Sequence, residues 1–184
     1  MINEKIISQK NLVKPPFRPV TLVYCIDTNS DSVLLALKKR GFGEGRLNGY
    51  GGKVNFADGS IEDCAVRELR EESGITTDAG NLEKVAVIDF YFPDIPLERD
   101  FNQTVHVYLL RKWIGTPKET EEMKPEWHRI RNVPYNKMWV DDIYWLPRVL
   151  AGEKITAEFY FSGQGKGLWN YEVKTATSED LIKS

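Results

Sequence analysis

Apolar residues, many of them β-branched or aromatic, concentrate in six short runs of this 184-residue chain. Such runs predict β-strands, because branched and aromatic side chains pack well on a pleated sheet. The predicted strands cover residues 20–26, 32–37, 85–92, 104–110, 156–161 and 168–173. Asp, Asn and Ser residues at 27–31 favour a turn, so the first two strands are predicted to form a hairpin.

Two other segments have apolar residues at helical spacing. The first covers residues 60–73, where Ser60 is a good N-cap and Gly74 can adopt the left-handed conformation that ends helices. The second runs from about residue 141 to residue 150 and contains Pro147, which is unfavourable inside a helix. Strands combined with two main helices predict an α/β (α+β) fold in which helices cover a mixed β-sheet.

All of these elements lie within residues 19–175, which are predicted to form one domain with a full hydrophobic core. Residues 1–18 are polar and end in several prolines, so they are predicted to be an N-terminal extension. Residues 176–184 are predicted to be a short C-terminal tail.

The overall charge argues against long nucleic acids as partners. The formal net charge is −2, whereas a non-specific binder of DNA or RNA is usually basic. Two cysteines, Cys25 and Cys64, are too few for a disulfide framework and are expected to be buried, reduced thiols. The chain lacks apolar runs long enough for a membrane span or a signal peptide. A cytoplasmic monomer without a membrane partner is therefore expected.

The first predicted helix carries acidic residues on the face where apolar residues are expected. At about 100° per residue, Glu68 and Glu72 fall within the apolar arc and Glu71 falls at its edge, while Arg67 and Arg70 point away. Carboxylates this close on a partly buried face repel one another and lose hydration, and Mg²⁺ would relieve that conflict. The alternative is an ordinary charged helix end with an Arg67–Glu71 ion pair, and spacing alone leaves both interpretations open.

The same helix carries a known family motif. Residues 67–75 read Arg-Glu-Leu-Arg-Glu-Glu-Ser-Gly-Ile, and Gly52 stands upstream. This pattern resembles the REUxEExGU core of the Nudix box, in which U is a bulky aliphatic residue. The complete box has a glutamate after five residues and the arginine after seven more. In this chain Asp58 takes the glutamate's place, and eight residues separate it from Arg67. The loop therefore has a shorter acid and a one-residue insertion.

Further blocks resemble the branch of the Nudix hydrolases that acts on oxidised purine nucleoside triphosphates. They cover residues 38–53, 115–127 and 138–145. The resemblance implies the Nudix fold, a mixed β-sheet sandwiched between α-helices. It also implies hydrolysis of 8-oxo-dGTP or 2-hydroxy-dATP to the monophosphate and pyrophosphate. The implied cofactor is Mg²⁺, with Mn²⁺ as a substitute, and the implied partner is a small nucleotide substrate.

The resemblance assigns the helix carboxylates to the catalytic metal site. Glu68, Glu71 and Glu72 are expected to hold the metal, and one of them is expected to orient or deprotonate the attacking water. Glu122, from a distant loop, and the carbonyl group of Gly51 are expected to complete the set of metal ligands.

A second group, at the start of the second helix, is expected to recognise the base. The resemblance implies that Trp139 stacks on the purine and that Asp141 and Asp142 form hydrogen bonds to its edge. A carboxyl pair that shares one proton offers both a donor and an acceptor, which would suit oxidised guanine and oxidised adenine alike. The alternative is that the two acids only cap the helix.

Four further residues are expected to contact the substrate. Lys38 belongs to a basic, glycine-rich stretch and is expected to touch the triphosphate or the base. Asn48 is expected to be the amide partner of the base. Phe90 and Phe92 are expected to form pocket walls, and the alternative is that both are ordinary core residues. For the basic stretch that contains Lys38, the alternative is a solvated loop.

Two other functions compete with this one. A Nudix hydrolase for another nucleoside diphosphate-linked compound, such as a sugar nucleotide, would carry the same box, but Asn48 and the block 139–142 argue against it. A non-catalytic nucleotide sensor would be expected to lack the helix carboxylates, and all three are present.

Overall fold

The structure is a computed structural model that describes residues 17–182. Most of the predicted N-terminal extension and the last two residues of the predicted tail lie outside this range. Within residues 17–182, no helix is both long and apolar enough to cross a membrane.

An eight-stranded mixed sheet forms the centre of the described region. Its strands are β1 (Arg18–Asp27), β2 (Ser32–Lys38), β3 (Leu47–Asn48), β4 (Leu82–Tyr91), β5 (Gln103–Leu110), β6 (Met123–Arg129), β7 (Ile155–Ser162) and β8 (Gly167–Thr175). The strand order is β3-β2-β1-β5-β4-β7-β8, and β6 pairs with β2. β1 pairs with β5 and β4 with β7 in parallel, whereas the other pairs are antiparallel. All six predicted strands and the mixed sheet are confirmed.

The predicted hairpin forms, but β1 and β2 share only three residue pairs before they separate. Beyond that point the glycine-rich segment that follows β3 runs along β1, through bridges of Val23 with Tyr50 and of Val20 with Lys53. A Cβ atom at Gly51 would lie 1.9 Å from the carbonyl oxygen of Thr21, so only glycine allows this approach. The separation of β1 from β2 thus places a glycine backbone at the centre of the molecule.

Three helices complete the described region: α1 (Ile61–Ser73), α2 (Asp142–Leu150) and α3 (Ser178–Ile182). The predicted caps of α1 are present, because the Ser60 side chain accepts the Asp63 N–H and Gly74 has φ 75°. α2 continues through Pro147. α3 lies in the predicted tail and buries Leu181.

The core occupies both faces of the sheet. α1 packs on β1 through buried side chains that include Ala65 and Leu69, and α2 packs on the other face through Trp145. Cys25 and Cys64 are both buried and unpaired, as expected.

Strand β6 was missed in the sequence because Pro125 interrupts its pattern. The structure pairs Pro125 with Ala36, and β6 contacts the sheet only through β2. β6 is therefore an edge strand, where a proline without an N–H group is tolerated. Its first residue follows Glu122, so the strand fixes where that carboxylate lies.

Candidate active site

A cavity of about 400 Å³ opens beside the glycine-rich segment, between the sheet and the start of α2. Nine of the predicted site residues line it: Lys38, Asn48, Gly51, Phe90, Phe92, Glu122, Trp139, Asp141 and Asp142. Glu68 and Glu72 of α1 lie behind the glycine backbone that forms one end of the cavity. An acidic group at this end and the group of Trp139, Asp141 and Asp142 thus flank one space.

The glutamates of α1 differ in how far they turn inward. The Glu72 side chain is only 6% exposed, and its carboxylate accepts the Gly51 N–H at 3.0 Å. Glu68 lies against Gly52, where an added Cβ atom would be 2.5 Å from the Glu68 carboxyl carbon. Glu71 is 53% exposed at the edge of the helix. Helical spacing therefore predicted the inward direction of Glu68 and Glu72 and the edge position of Glu71.

Glu72 has an electrostatic environment that disfavours its negative charge. Burial, together with the neighbouring carboxylates of Glu68 and Glu122, raises the pKa of Glu72 to about 7, although the Gly51 N–H and Lys38 act to lower it. The Lys38 ammonium lies 3.9 Å from the Glu72 carboxylate. A divalent cation with a preference for oxygen ligands would balance these acidic groups.

These carboxylates suit Mg²⁺ in chemistry, although their present positions are more open than a closed ligand shell. Across residues 17–182, no three acidic, histidine or cysteine side chains stand close enough together to hold an ion as they are placed. Basic partners hold them apart: Arg40 contacts Glu122 at 3.4 Å, and Arg67 contacts Glu68 at 2.7 Å. Small rotamer changes of these side chains would be required for binding.

Arg67 does not point away from the site, which corrects the helical-spacing prediction. Its guanidinium donates to both carboxylate oxygens of Asp58, at 2.7 and 2.9 Å, and it also contacts Glu68 and Glu71. The Arg67 hydrogen bonds lower the pKa of Asp58 to about 2. The loop with the shorter acid and the inserted residue therefore still reaches Arg67, whose guanidinium also donates to the Lys53 carbonyl at 3.3 Å.

We expect Arg67→Ala to lower the free energy of unfolding by about 2 kcal/mol, because it leaves the enclosed Asp58 carboxylate without its partner. Urea denaturation at neutral pH measures this change, and Arg70→Ala on the exposed side of α1 is the matched control. Since Asp58 has a lowered pKa, its contribution is present above about pH 4 and disappears as the pH falls toward 2. Equal effects of the two variants would contradict this role of Arg67.

The group predicted to recognise the base lies at the opposite end of the cavity. Asp141 and Asp142 are each 2% exposed. Asp141 accepts the indole N–H of Trp145 at 3.0 Å, and Asp142 accepts the backbone N–H of Trp139 at 2.9 Å. Asp141 occupies the N-cap position of α2 but makes no capping hydrogen bond with its side chain, and both acids line the cavity.

Burial makes it unfavourable for both acids to be ionised together. It raises the pKa of Asp141 to about 6, and it raises the pKa of Asp142 further because the Asp141 charge adds to the effect. These shifts favour a protonated form of the pair, in which one acid would be a hydrogen-bond donor and the other an acceptor.

The raised pKa values predict a pH-dependent stability. Because the folded-state pKa of Asp141 is raised, its protonated form stabilises the protein below about pH 4, and this contribution is lost as the pH rises through 6. Relative to an Asp141→Asn/Asp142→Asn double variant, we expect the wild-type free energy of unfolding to fall by about 2 kcal/mol between pH 4 and pH 7. Urea titrations at several pH values measure this difference, and parallel curves for the two proteins would exclude a buried, proton-sharing pair.

Asn48 and the phenylalanines lie between the two ends. The side-chain oxygen of Asn48 accepts the Tyr24 hydroxyl at 3.3 Å and the Gly49 N–H at 2.9 Å, which directs the amide nitrogen to act as the donor. Phe90 and Phe92 both line the cavity, so their alternative description as core residues is only part of their role.

Among the cavity residues that were not predicted, Trp145 and Phe161 contact predicted site residues directly. The indole of Trp145 orients Asp141. The spacing of four residues between them on α2 was a usable signal, since such residues lie on the same helix face. Phe161 stacks on Phe92 with centroids 4.8 Å apart, and the sequence carried no signal for that contact.

The side chains of the basic stretch, residues 38–53, lie in two different environments. Lys38 and Lys53 line the cavity. Lys39 instead pairs with Glu119 at 2.7 Å, and Arg40 pairs with the acidic loop before β6. Only part of the stretch is therefore available to a triphosphate.

Comparison with known proteins places these features in a family. A model of the NUDIX domain matches residues 16–149. The chain is 46% identical over 132 residues to the oxidized purine nucleoside triphosphate hydrolase of Mus musculus, covering 72% of this chain and 80% of the mouse protein. It is 42% identical to the protein of the same name from Danio rerio, covering 71% and 80% of the two chains.

A solved structure supports the fold alone. The MutT protein of Bacillus halodurans superposes with a TM-score of 0.71 at 24% identity, covering 86% of this chain and 98% of that protein. At this identity the likeness shows a shared architecture, and the substrate has to be argued from the site itself.

Proposed function

Because this chain belongs to the NUDIX family and is a hydrolase of that family, we propose that it hydrolyses oxidised purine nucleoside triphosphates. The products would be the nucleoside monophosphate and pyrophosphate, and 8-oxo-dGTP and 2-hydroxy-dATP are the proposed substrates. One observation carries the proposal. Trp139 and the buried pair Asp141 and Asp142 line the same cavity as Glu122 and Gly51, which lie next to the α1 glutamates. The names of the mouse and zebrafish relatives support the same substrate class.

The acidic end is proposed to bind the cofactor. Glu68, Glu71, Glu72 and Glu122, with the carbonyl group of Gly51, would hold Mg²⁺, and Mn²⁺ would be a substitute. When bound, the ion neutralises phosphate oxygens and acts as a Lewis acid. To bind the ion together, the glutamates must give up their ion pairs with arginine side chains. The half-exposed positions of Glu71 and Glu122 allow this change.

The protein supplies the remaining steps of the reaction. One of the α1 glutamates orients or deprotonates the attacking water, which needs a carboxylate within hydrogen-bonding reach of it. Lys38 provides a fixed positive charge between the two ends of the cavity, suited to a triphosphate oxygen. Charge neutralisation and positioning are the main contributions a protein makes to phosphoryl transfer.

The purine end is proposed to select the base. Trp139 stacks on the ring, Asp141 and Asp142 bond its edge, and the Asn48 amide donates to it. Phe90 and Phe92 exclude water from the ring. A site built from buried hydrogen-bonding groups rejects bases that leave those groups unpaired.

The decisive experiment compares kcat/KM for 8-oxo-dGTP, 2-hydroxy-dATP, dGTP and a sugar nucleotide in the presence of Mg²⁺. We expect the oxidised nucleotides to be preferred over dGTP by about 10²-fold or more. Equal values for 8-oxo-dGTP and dGTP would remove the oxidised-purine proposal, and faster turnover of the sugar nucleotide would favour the alternative substrate class. Size-exclusion chromatography and cell fractionation test the accompanying proposals of a monomer and of a cytoplasmic location.

A further inference from the structure

We propose that Arg46 is a positioning residue for base selection, because its guanidinium backs the indole of Trp139 and biases the ring toward oxidised purines. This inference rests on the proposed function, since it concerns how the same cavity discriminates between bases. The sequence placed Arg46 only in a general basic stretch, without a contact of its own.

Arg46 stacks against Trp139 from outside the cavity. The guanidinium carbon lies 4.2 Å from the centroid of the indole ring. Trp139 lines the cavity and Arg46 does not, from which we infer that the cation covers the indole face that is turned away from the cavity. The backbone of Arg46 is fixed as well: its carbonyl accepts the Lys38 N–H at 2.9 Å, and its N–H donates to the Gly43 carbonyl at 3.0 Å.

Two glycine segments confine the edge of the indole. An added Cβ atom at Gly43 would lie 3.0 Å from the Trp139 ring, and one at Gly165 would lie 2.8 Å from it. Phe42 packs against the same ring, with centroids 4.9 Å apart. Since the edges are confined by backbone, the Arg46 guanidinium completes the support by acting on the face of the ring.

A cation on one face of an indole attracts the negative charge of the π system. The opposite face, which meets the base, is then less negative and stacks better on an electron-rich ring. The additional oxygen of an oxidised purine makes the ring richer in electrons than that of the parent base. The stack of Arg46, Trp139 and base should therefore favour the oxidised form.

Arg46 also acts on the carboxyl pair. It lowers the pKa of Asp141 in opposition to burial, as does the hydrogen bond from Trp145. The titratable groups that face the pair from other elements are Arg46 before β3, Tyr24 on β1 and Tyr135 before α2. Because Arg46 is the cation among them, it favours an ionised Asp141 that accepts a hydrogen bond while Asp142 retains the proton.

The test measures binding of 8-oxo-dGMP and dGMP to the full chain by calorimetry in EDTA, from pH 5 to pH 8. Without metal, the readout is independent of turnover. We expect Arg46→Met to weaken 8-oxo-dGMP binding about fivefold, with a smaller effect on dGMP. We also expect the loss of affinity at acidic pH to begin at a higher pH, because Asp141 loses a nearby positive charge.

Two further variants separate positioning from general structural support. Arg46→Lys retains the charge without the planar stack, so it should restore the wild-type pH dependence and only part of the affinity. Arg131→Met removes an exposed arginine elsewhere and should match the wild type. Equal weakening of both nucleotides by Arg46→Met, with an unchanged pH dependence, would overturn the inference.

The same data distinguish this inference from the proposed function. A wild-type preference for 8-oxo-dGMP that survives intact in Arg46→Met would overturn the role of Arg46 alone. Wild-type protein that binds 8-oxo-dGMP and dGMP equally would overturn the proposed base selection, and the inference with it.

Discussion

Replacement of Glu72 by glutamine is expected to lower kcat for 8-oxo-dGTP by about 10³-fold while the fold is retained. Glu72 is the most buried of the α1 glutamates and contacts both the Gly51 N–H and, at a longer distance, Lys38. Glutamine preserves its shape and can still accept the Gly51 hydrogen bond, but it removes the negative charge that would hold the cation. Steady-state assays of pyrophosphate release with saturating Mg²⁺ measure the loss.

The matched control is Glu121→Gln. Glu121 lies in the acidic loop next to Glu122, but its side chain is 89% exposed and contacts only Arg40 among the described residues. It should therefore retain near-wild-type kcat. Circular dichroism and thermal unfolding would show whether Glu72→Gln is folded. A folded variant with more than a tenth of wild-type kcat would contradict the proposed role of Glu72.

Replacement of Asp141 or Asp142 by asparagine is expected to lower kcat/KM for 8-oxo-dGTP and 2-hydroxy-dATP by unequal factors, about 10²-fold for the more affected substrate. An asparagine has a fixed amide donor and a fixed carbonyl acceptor. It can therefore suit the hydrogen-bonding edge of one base, but it cannot move a proton to suit both. Parallel kinetics on the two substrates measure the factors.

Asp78→Asn provides the control for this pair. Asp78 is exposed, precedes a short helical turn and has no capping hydrogen bond from its side chain. It should change neither substrate's kcat/KM. If both substrates fell by the same factor in each cavity variant, proton sharing would lose its support and a simple polar wall would be the better description.

Local patterns in the sequence were sufficient for the elements and for the family. The spacing in α1 predicted a helix with Ser60 and Gly74 at its ends, because capping depends on residues within one turn. The same spacing turned Glu68 and Glu72 inward. The Nudix resemblance then named the cavity residues, and the matching family model agrees with it.

Other features depend on residues that are distant in the chain. The sequence could not show that Arg67 reaches Asp58 despite the inserted residue, because that contact depends on the path of a loop. It gave no sign that Pro125 lies in an edge strand, since a proline normally lowers the strand propensity of its segment.

The sequence by itself determined most of the secondary structure and the family motif, and it named the groups proposed to be chemically active, because these features are encoded in spacings of a few residues. Only the tertiary structure decided how those groups are buried, paired and charged. Arg46 stacks on Trp139 only after separate elements pack around one cavity. Burial and charge pairing depend on every neighbour in space, and neighbours from distant parts of the chain are fixed by packing rather than by local spacing.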